Sequence, residues 1–163
     1  VVGKRQPKPE DPLYERDFYV WTQEQGETLR ARSLEAVDWE NLAEEIESAG
    51  RREKREISDR LETLLRLLLK WQFQPDLRCH SWQSGIGEQR TFIEGTLEMS
   101  PSLSDFPGQI LQDEYKWARE RVAIETGLPT STFPEKVPFS VAEALNFRFM
   151  PGRPWSPDEL RGD

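Results

Sequence analysis

Apolar residues recur along this chain at spacings of three and four, the period of an α-helix, and never alternate with polar ones over a strand-length stretch. After a Pro- and Lys-rich opening to about Pro12, Tyr14, Phe18, Trp21 and Gln25 predict a first helix reaching about Arg32, with Asp17 capping or entering its first turn. Asp38 is a good N-cap for a much longer second helix, in which Leu42, Ile46, Ala49, Ile57, Leu64, Leu68 and Trp71 keep phase until Pro75 stops it. Gly50 marks where that helix can bend or break. A loop from Pro75 to Ser81 precedes Trp82, Ile86, Ile93 and Leu97, one face of a third helix whose first turns carry Gly85 and Gly87. Ile110 to Ile124 form a fourth, closed by Gly127 and Pro129. Ser140 with Glu143 makes a capping box for a short helix over Val141 to Asn146. The pattern predicts an all-α fold, a single-domain helical bundle of four main helices plus a short C-terminal helix. That domain spans 13–150, between a disordered N-terminal segment over 1–12 and a loose C-terminal tail over 151–163.

Charge enters this pattern where apolar residues are expected. At ~100° per residue, Glu53 and Arg60 fall in the stripe of Leu42, Ile46, Ala49, Ile57, Leu64 and Trp71. Arg90 falls mid-stripe among Trp82, Ile86, Ile93 and Leu97, and should meet a carboxylate. The fourth helix has two apolar stripes, Ile110, Trp117 and Ile124 on one and Leu111, Tyr115, Ala118 and Val122 on the other, which predicts burial on two sides. Glu114, Arg121 and Glu125 lie between them. Burying an unpaired charge is expensive, so Glu53, Arg60, Arg90, Glu114, Arg121 and Glu125 are expected in one or two interior polar clusters, serving either as a structural clasp or as a ligand site.

Composition narrows the partners. The formal net charge of the 163 residues is -8, which argues against a generic nucleic-acid surface and favours basic partners. Cys79 is the only cysteine, so no intrachain disulfide can form and the reducing cytoplasm is the expected compartment. No apolar run has the length of a membrane span, and the first ten residues lack the apolar core of a signal peptide.

Familiar chemistry is not assembled. His80 is the only histidine and no Glu stands three residues before it, which excludes the Glu-x-x-His pairs of dimetal bundles. Cys79 and His80 are too few ligands for a zinc site and read as an inert thiol and a loop residue. Gly85 and Gly87 lack the preceding strand and further glycine of a dinucleotide fingerprint. No cofactor and no metal is expected.

Several phrases carry a family likeness: Tyr14-Glu15-Arg16-Asp17-Phe18-Tyr19-Val20-Trp21, Glu40-Asn41-Leu42-Ala43-Glu44-Glu45-Ile46-Glu47, Leu69-Lys70-Trp71-Gln72, Glu88-Gln89-Arg90 and Glu125-Thr126-Gly127-Leu128. Together they resemble the bacterial family known as domain of unknown function 29, from about Tyr14 to Met150. The resemblance implies a small all-α protein and brings no reaction, ligand or catalytic residue with it.

The resulting expectation is a cytoplasmic protein-interaction or regulatory module with an acidic helical surface, binding an unknown protein partner or a second copy of itself. The alternative is a metal-dependent hydrolase or nucleotide-handling enzyme, in which Glu53, Glu114 or Glu125 hold a divalent metal and Arg90 or Arg121 a phosphate.

Overall fold

The computed structural model describes residues 12–162. The expected disordered opening, apart from Pro12, lies outside them. Six α-helices follow in order: α1 (Leu13–Arg16), α2 (Phe18–Arg30), α3 (Trp39–Phe73), α4 (His80–Met99), α5 (Phe106–Thr126) and α6 (Val141–Leu145). Short 3-10 turns join several of them, and the described residues hold no strand beyond one isolated bridge between Cys79 and Arg161. The fold is an all-α helical bundle. His80, expected in a loop, opens α4, and Gly85, Gly87 and Gly95 are all accommodated within that helix.

Contacts divide the chain into two units, the first ending at Arg51 and the second beginning at Arg52. The boundary falls inside α3 beside Gly50, where the sequence allows a bend. In the first unit the predicted first helix is two. Asp17, at φ −149°, leaves helical geometry after α1, and its carboxylate accepts from the Val20 amide at 3.0 Å, capping α2. Trp21 and Gln25 of α2 are buried against the start of α3. The Trp21 indole donates to Asp38 Oδ2 at 3.1 Å, and the Asp38 amide donates to Gln25 Oε1 at 2.8 Å.

In the second unit, Ile57, Leu61, Leu64, Leu65, Leu68, Leu69 and Trp71 of α3 are all fully buried. A helix apolar on that many sides is a core helix, and each such side chain contributes about 1.5–3 kcal/mol. Bonds that rise together in number, Ser58 to Glu114 and Arg121 to Glu62, show α5 parallel to α3. Those that run oppositely, Ser100 to Glu53 and Arg60 to Gln89, show α4 antiparallel to it. Phe133, Phe139 and Ala144 close the same core from the C-terminal segment.

Two buried arginines hold that segment down. Arg78 donates from Nε to the Trp71 carbonyl at 2.9 Å and from Nη1 to the Arg153 carbonyl at 3.1 Å, with its guanidinium over the Trp71 ring. Arg90 donates from Nε to the Ala144 carbonyl and from Nη2 to the Phe149 carbonyl, each at 2.8 Å. Pro151 is buried, Trp155 packs edge-on against Trp71, and the Arg161 amide bonds the Arg78 carbonyl. The segment expected to be loose is therefore anchored at several points. Gly152, at φ +87°, is required there, because a Cβ would stand 3.3 Å from both Gln72 Cα and Arg78 Nη2.

Candidate functional site

The six charged residues expected in interior clusters separate into three places. Glu114, Arg121 and Glu125 line the seam between α3 and α5, where each meets an α3 residue one turn after the last. Ser58 Oγ donates to Glu114 Oε1 at 2.5 Å, Arg121 Nη1 donates to Glu62 Oε2 at 3.0 Å, and Glu125 takes both Arg66 and Lys70. Glu53 and Arg60 lie on the opposite seam, against α4. Glu53 accepts from Ser100 Oγ at 2.7 Å, while Arg60 pairs with Glu56 and stacks 4.2 Å from the centre of the Phe92 ring. Arg90 alone is deep, 2% exposed, and belongs to neither seam.

Interior placement therefore fails for Glu53, Arg121 and Glu125, which are exposed, and holds only partly for Arg60 and Glu114. The reason for Glu53 is that burial along α3 begins at Ile57; Ile46 and Ala49 of the same stripe are exposed too. For Arg121 and Glu125 the reason is that the Ile110, Trp117 and Ile124 stripe is not covered. Ile110 is half-buried, but Trp117 is 63% and Ile124 82% exposed, while Tyr115, Ala118 and Val122 of the other stripe are buried. The carboxylate expected for Arg90 is not found among the described residues. Its partners are main-chain carbonyls, and burial lowers its pKa to about 10.

Two buried charges were not singled out in the sequence. Glu62, 4% exposed, is the centre of the α3/α5 seam. Its Oε2 accepts from Arg121, whereas its Oε1 has no hydrogen-bond donor and stands 3.7 Å from Arg66 Nε, itself unbonded. Burial lifts its carboxyl above the ordinary 4.5, against the pull of Arg66 and Arg121 and with a push from Glu114. Its helical phase, one residue after Leu61 and three before Leu65, was the available signal. Arg78 gave none, because it follows the 3-10 turn over 75–77 in a stretch without periodicity.

Beside Glu62 lies a cavity of about 260 Å³ lined by Asp59, Glu62, Glu114, Trp117 and Arg121, three carboxylates against one guanidinium. A second cavity, of about 350 Å³, is lined by Arg90, Glu94, Leu97, Glu98 and Leu145. Among the described residues no group of three or more His, Cys, Asp or Glu is placed to hold a metal ion. No helix among them is long and apolar enough to cross a membrane.

An all-α chain with polar seams along a leucine-rich central helix is the class that the fold and these sites define. The family model described as Domain of unknown function DUF29 matches residues 13–150, and the chain belongs to that family. Comparison with curated proteins and with solved structures gives no match.

Proposed function

We propose that the protein is an interaction module whose working surface is the α3/α5 seam of its second unit, and that its partner presents a basic amphipathic helix. The observation that carries this reading is the open stripe of α5. Trp117 and Ile124 stand one heptad apart in solvent on a helix whose other apolar stripe is core. Exposed aromatic and aliphatic side chains at i and i+7 are the anchors by which one helix receives another, and Trp is the side chain most enriched at binding hot spots.

Charge selects the partner. Trp117 borders the cavity lined by Asp59, Glu62 and Glu114 with Arg121 as the lining cation and Arg66 beside Glu62, and the whole chain carries -8. Among the described residues Asp59 has no ion pair, and Glu114 is met only by the Ser58 hydroxyl. A basic segment gains from both the local and the overall field, whereas an acidic one, or a second copy of this acidic chain, works against the overall field.

The test uses two synthetic peptides with the same leucine heptads, one flanked by lysines and one by glutamates, titrated into the intact protein while tryptophan fluorescence is followed. The lysine peptide should bind, with affinity falling as salt rises, and Trp117→Ser should weaken it about tenfold or more. Equal binding of both peptides, or of neither, contradicts the reading.

A further inference from the structure

Arg78 and Arg90 are both buried in the second unit without a carboxylate partner among the described residues; Arg78 gives all three of its nitrogens to carbonyls, whereas Arg90 gives only two. Among the described residues no carboxylate lies within ion-pair distance of Arg90, two of its nitrogens are taken by the Ala144 and Phe149 carbonyls, and Nη1 makes no hydrogen bond. Buried charges are normally paired, because removal from water costs more than a carbonyl or two returns. Nη1 is not among the orphaned atoms sealed from solvent, which belong to Glu62, Arg66, Trp71 and Gln72, so it retains accessible surface. The cavity of about 350 Å³ that Arg90 lines is where an occupant can meet it.

The rest of the lining says what kind of anion. Glu94 and Glu98 stand one turn apart on α4 beside Arg90, exposed, and neither makes an ion pair or hydrogen bond among the described residues. Like charges at that spacing repel. A phosphate reaching Arg90 would pass two carboxylates, so a bare polyanion is disfavoured. A ligand that brings a carboxylate to the guanidinium and an ammonium to the two glutamates satisfies all three at once, and Leu97 and Leu145 offer its remainder an apolar wall.

We propose that this cavity binds the zwitterion of a free α-amino acid with an aliphatic side chain. Arg90 Nη1 donates to the α-carboxylate, Glu94 and Glu98 accept from the α-ammonium, and the side chain lies on Leu97 and Leu145. The volume is at the small end of the ligand-pocket range of roughly 300–1,000 Å³, as a single amino acid requires. Because the site includes Leu145 of α6 and the arginine that bonds the Ala144 carbonyl, occupancy bears directly on how α6 is held.

The experiment is calorimetric titration of the whole protein with L-leucine, L-leucinamide, N-acetyl-L-leucine and inorganic phosphate. Leucine should bind at a single saturable site. Blocking its carboxylate, as in the amide, or its ammonium, as in the acetyl derivative, should each weaken binding about tenfold or more. Replacing Arg90 endangers folding through the α6 contact, so the decisive variant is the double substitution Glu94→Gln and Glu98→Gln. These side chains make no ion pair or hydrogen bond among the described residues, and the double variant should melt like the parent yet lose leucine binding. The proposal is overturned by no leucine binding at millimolar concentration, by equal binding of the blocked derivatives, by phosphate binding in preference to leucine, or by an unaffected double variant.

Discussion

Arg90 and Glu62 illustrate opposite ways of burying a charge in the same core. Arg90 is answered by carbonyls, and replacing it with methionine keeps the stem but orphans the Ala144 and Phe149 oxygens. At about 1–3 kcal/mol for each of the two unmet groups, Arg90→Met should cost about 2–6 kcal/mol in urea unfolding, and Arg90→Lys less, since an ammonium can still serve one carbonyl. Glu62 is answered by arginines but remains dominated by burial, so its folded pKa is raised. A carboxyl raised in this way binds its proton more tightly when folded. Its contribution to stability is fully present below the ordinary 4.5 and is lost as pH rises through the folded value. Glu62→Gln, fixed in the neutral form, should flatten the profile of stability against pH just above 4.5; an unchanged profile would show that Arg66 and Arg121 cancel the effect of burial. Neither behaviour could be read from the chain. Helical phase put Arg90 on the inner face, where it is buried, but phase cannot distinguish a carbonyl from a carboxylate as partner, and Glu62 was hidden among leucines that bury α3 on more than one stripe.

At the scale of elements, the signals that proved legible were the local ones. Asp38, Pro75, Gly127 and the Ser140–Glu143 capping box bound their helices as the sequence predicts, because caps and breakers act on their own backbone whatever packs nearby. Asp17 was legible as a possible cap, but not as a break between two helices, since Tyr14, Phe18 and Trp21 keep one phase across it. Periodicity told which residues share a face, but not which faces have a neighbour, and this explains both failed stripes. The difference can be measured along α3 itself. Leu68→Ala, in the packed stretch, should cost about 2–5 kcal/mol, while Ile46→Ala, on the exposed stretch before it, should stay within about 0.5 kcal/mol. Equal costs in thermal or denaturant unfolding would mean that the first half of the stripe is buried after all.

For the whole molecule, the proposed partner rests on an excess of acid together with an uncovered α5 stripe. The acid was plain in the composition; the stripe was visible as a pattern but was assigned to the core, so the surface became recognisable only when its exposure was known. Binding of the lysine-flanked peptide should slow about tenfold or more in its association rate between low and physiological salt, because a charge-steered encounter is screened. A rate indifferent to salt would separate the apolar stripe from the carboxylates as the source of affinity. The most direct measurement is nuclear magnetic resonance of the isotope-labelled protein titrated with that peptide. The account predicts that the Trp117 indole, the amides from Ile110 to Glu125 and those around Asp59 and Glu62 shift together and saturate, while the amides around Glu53 and Ser100 on the opposite seam stay in place. Shifts confined to the opposite seam, or none at saturating peptide, would contradict it.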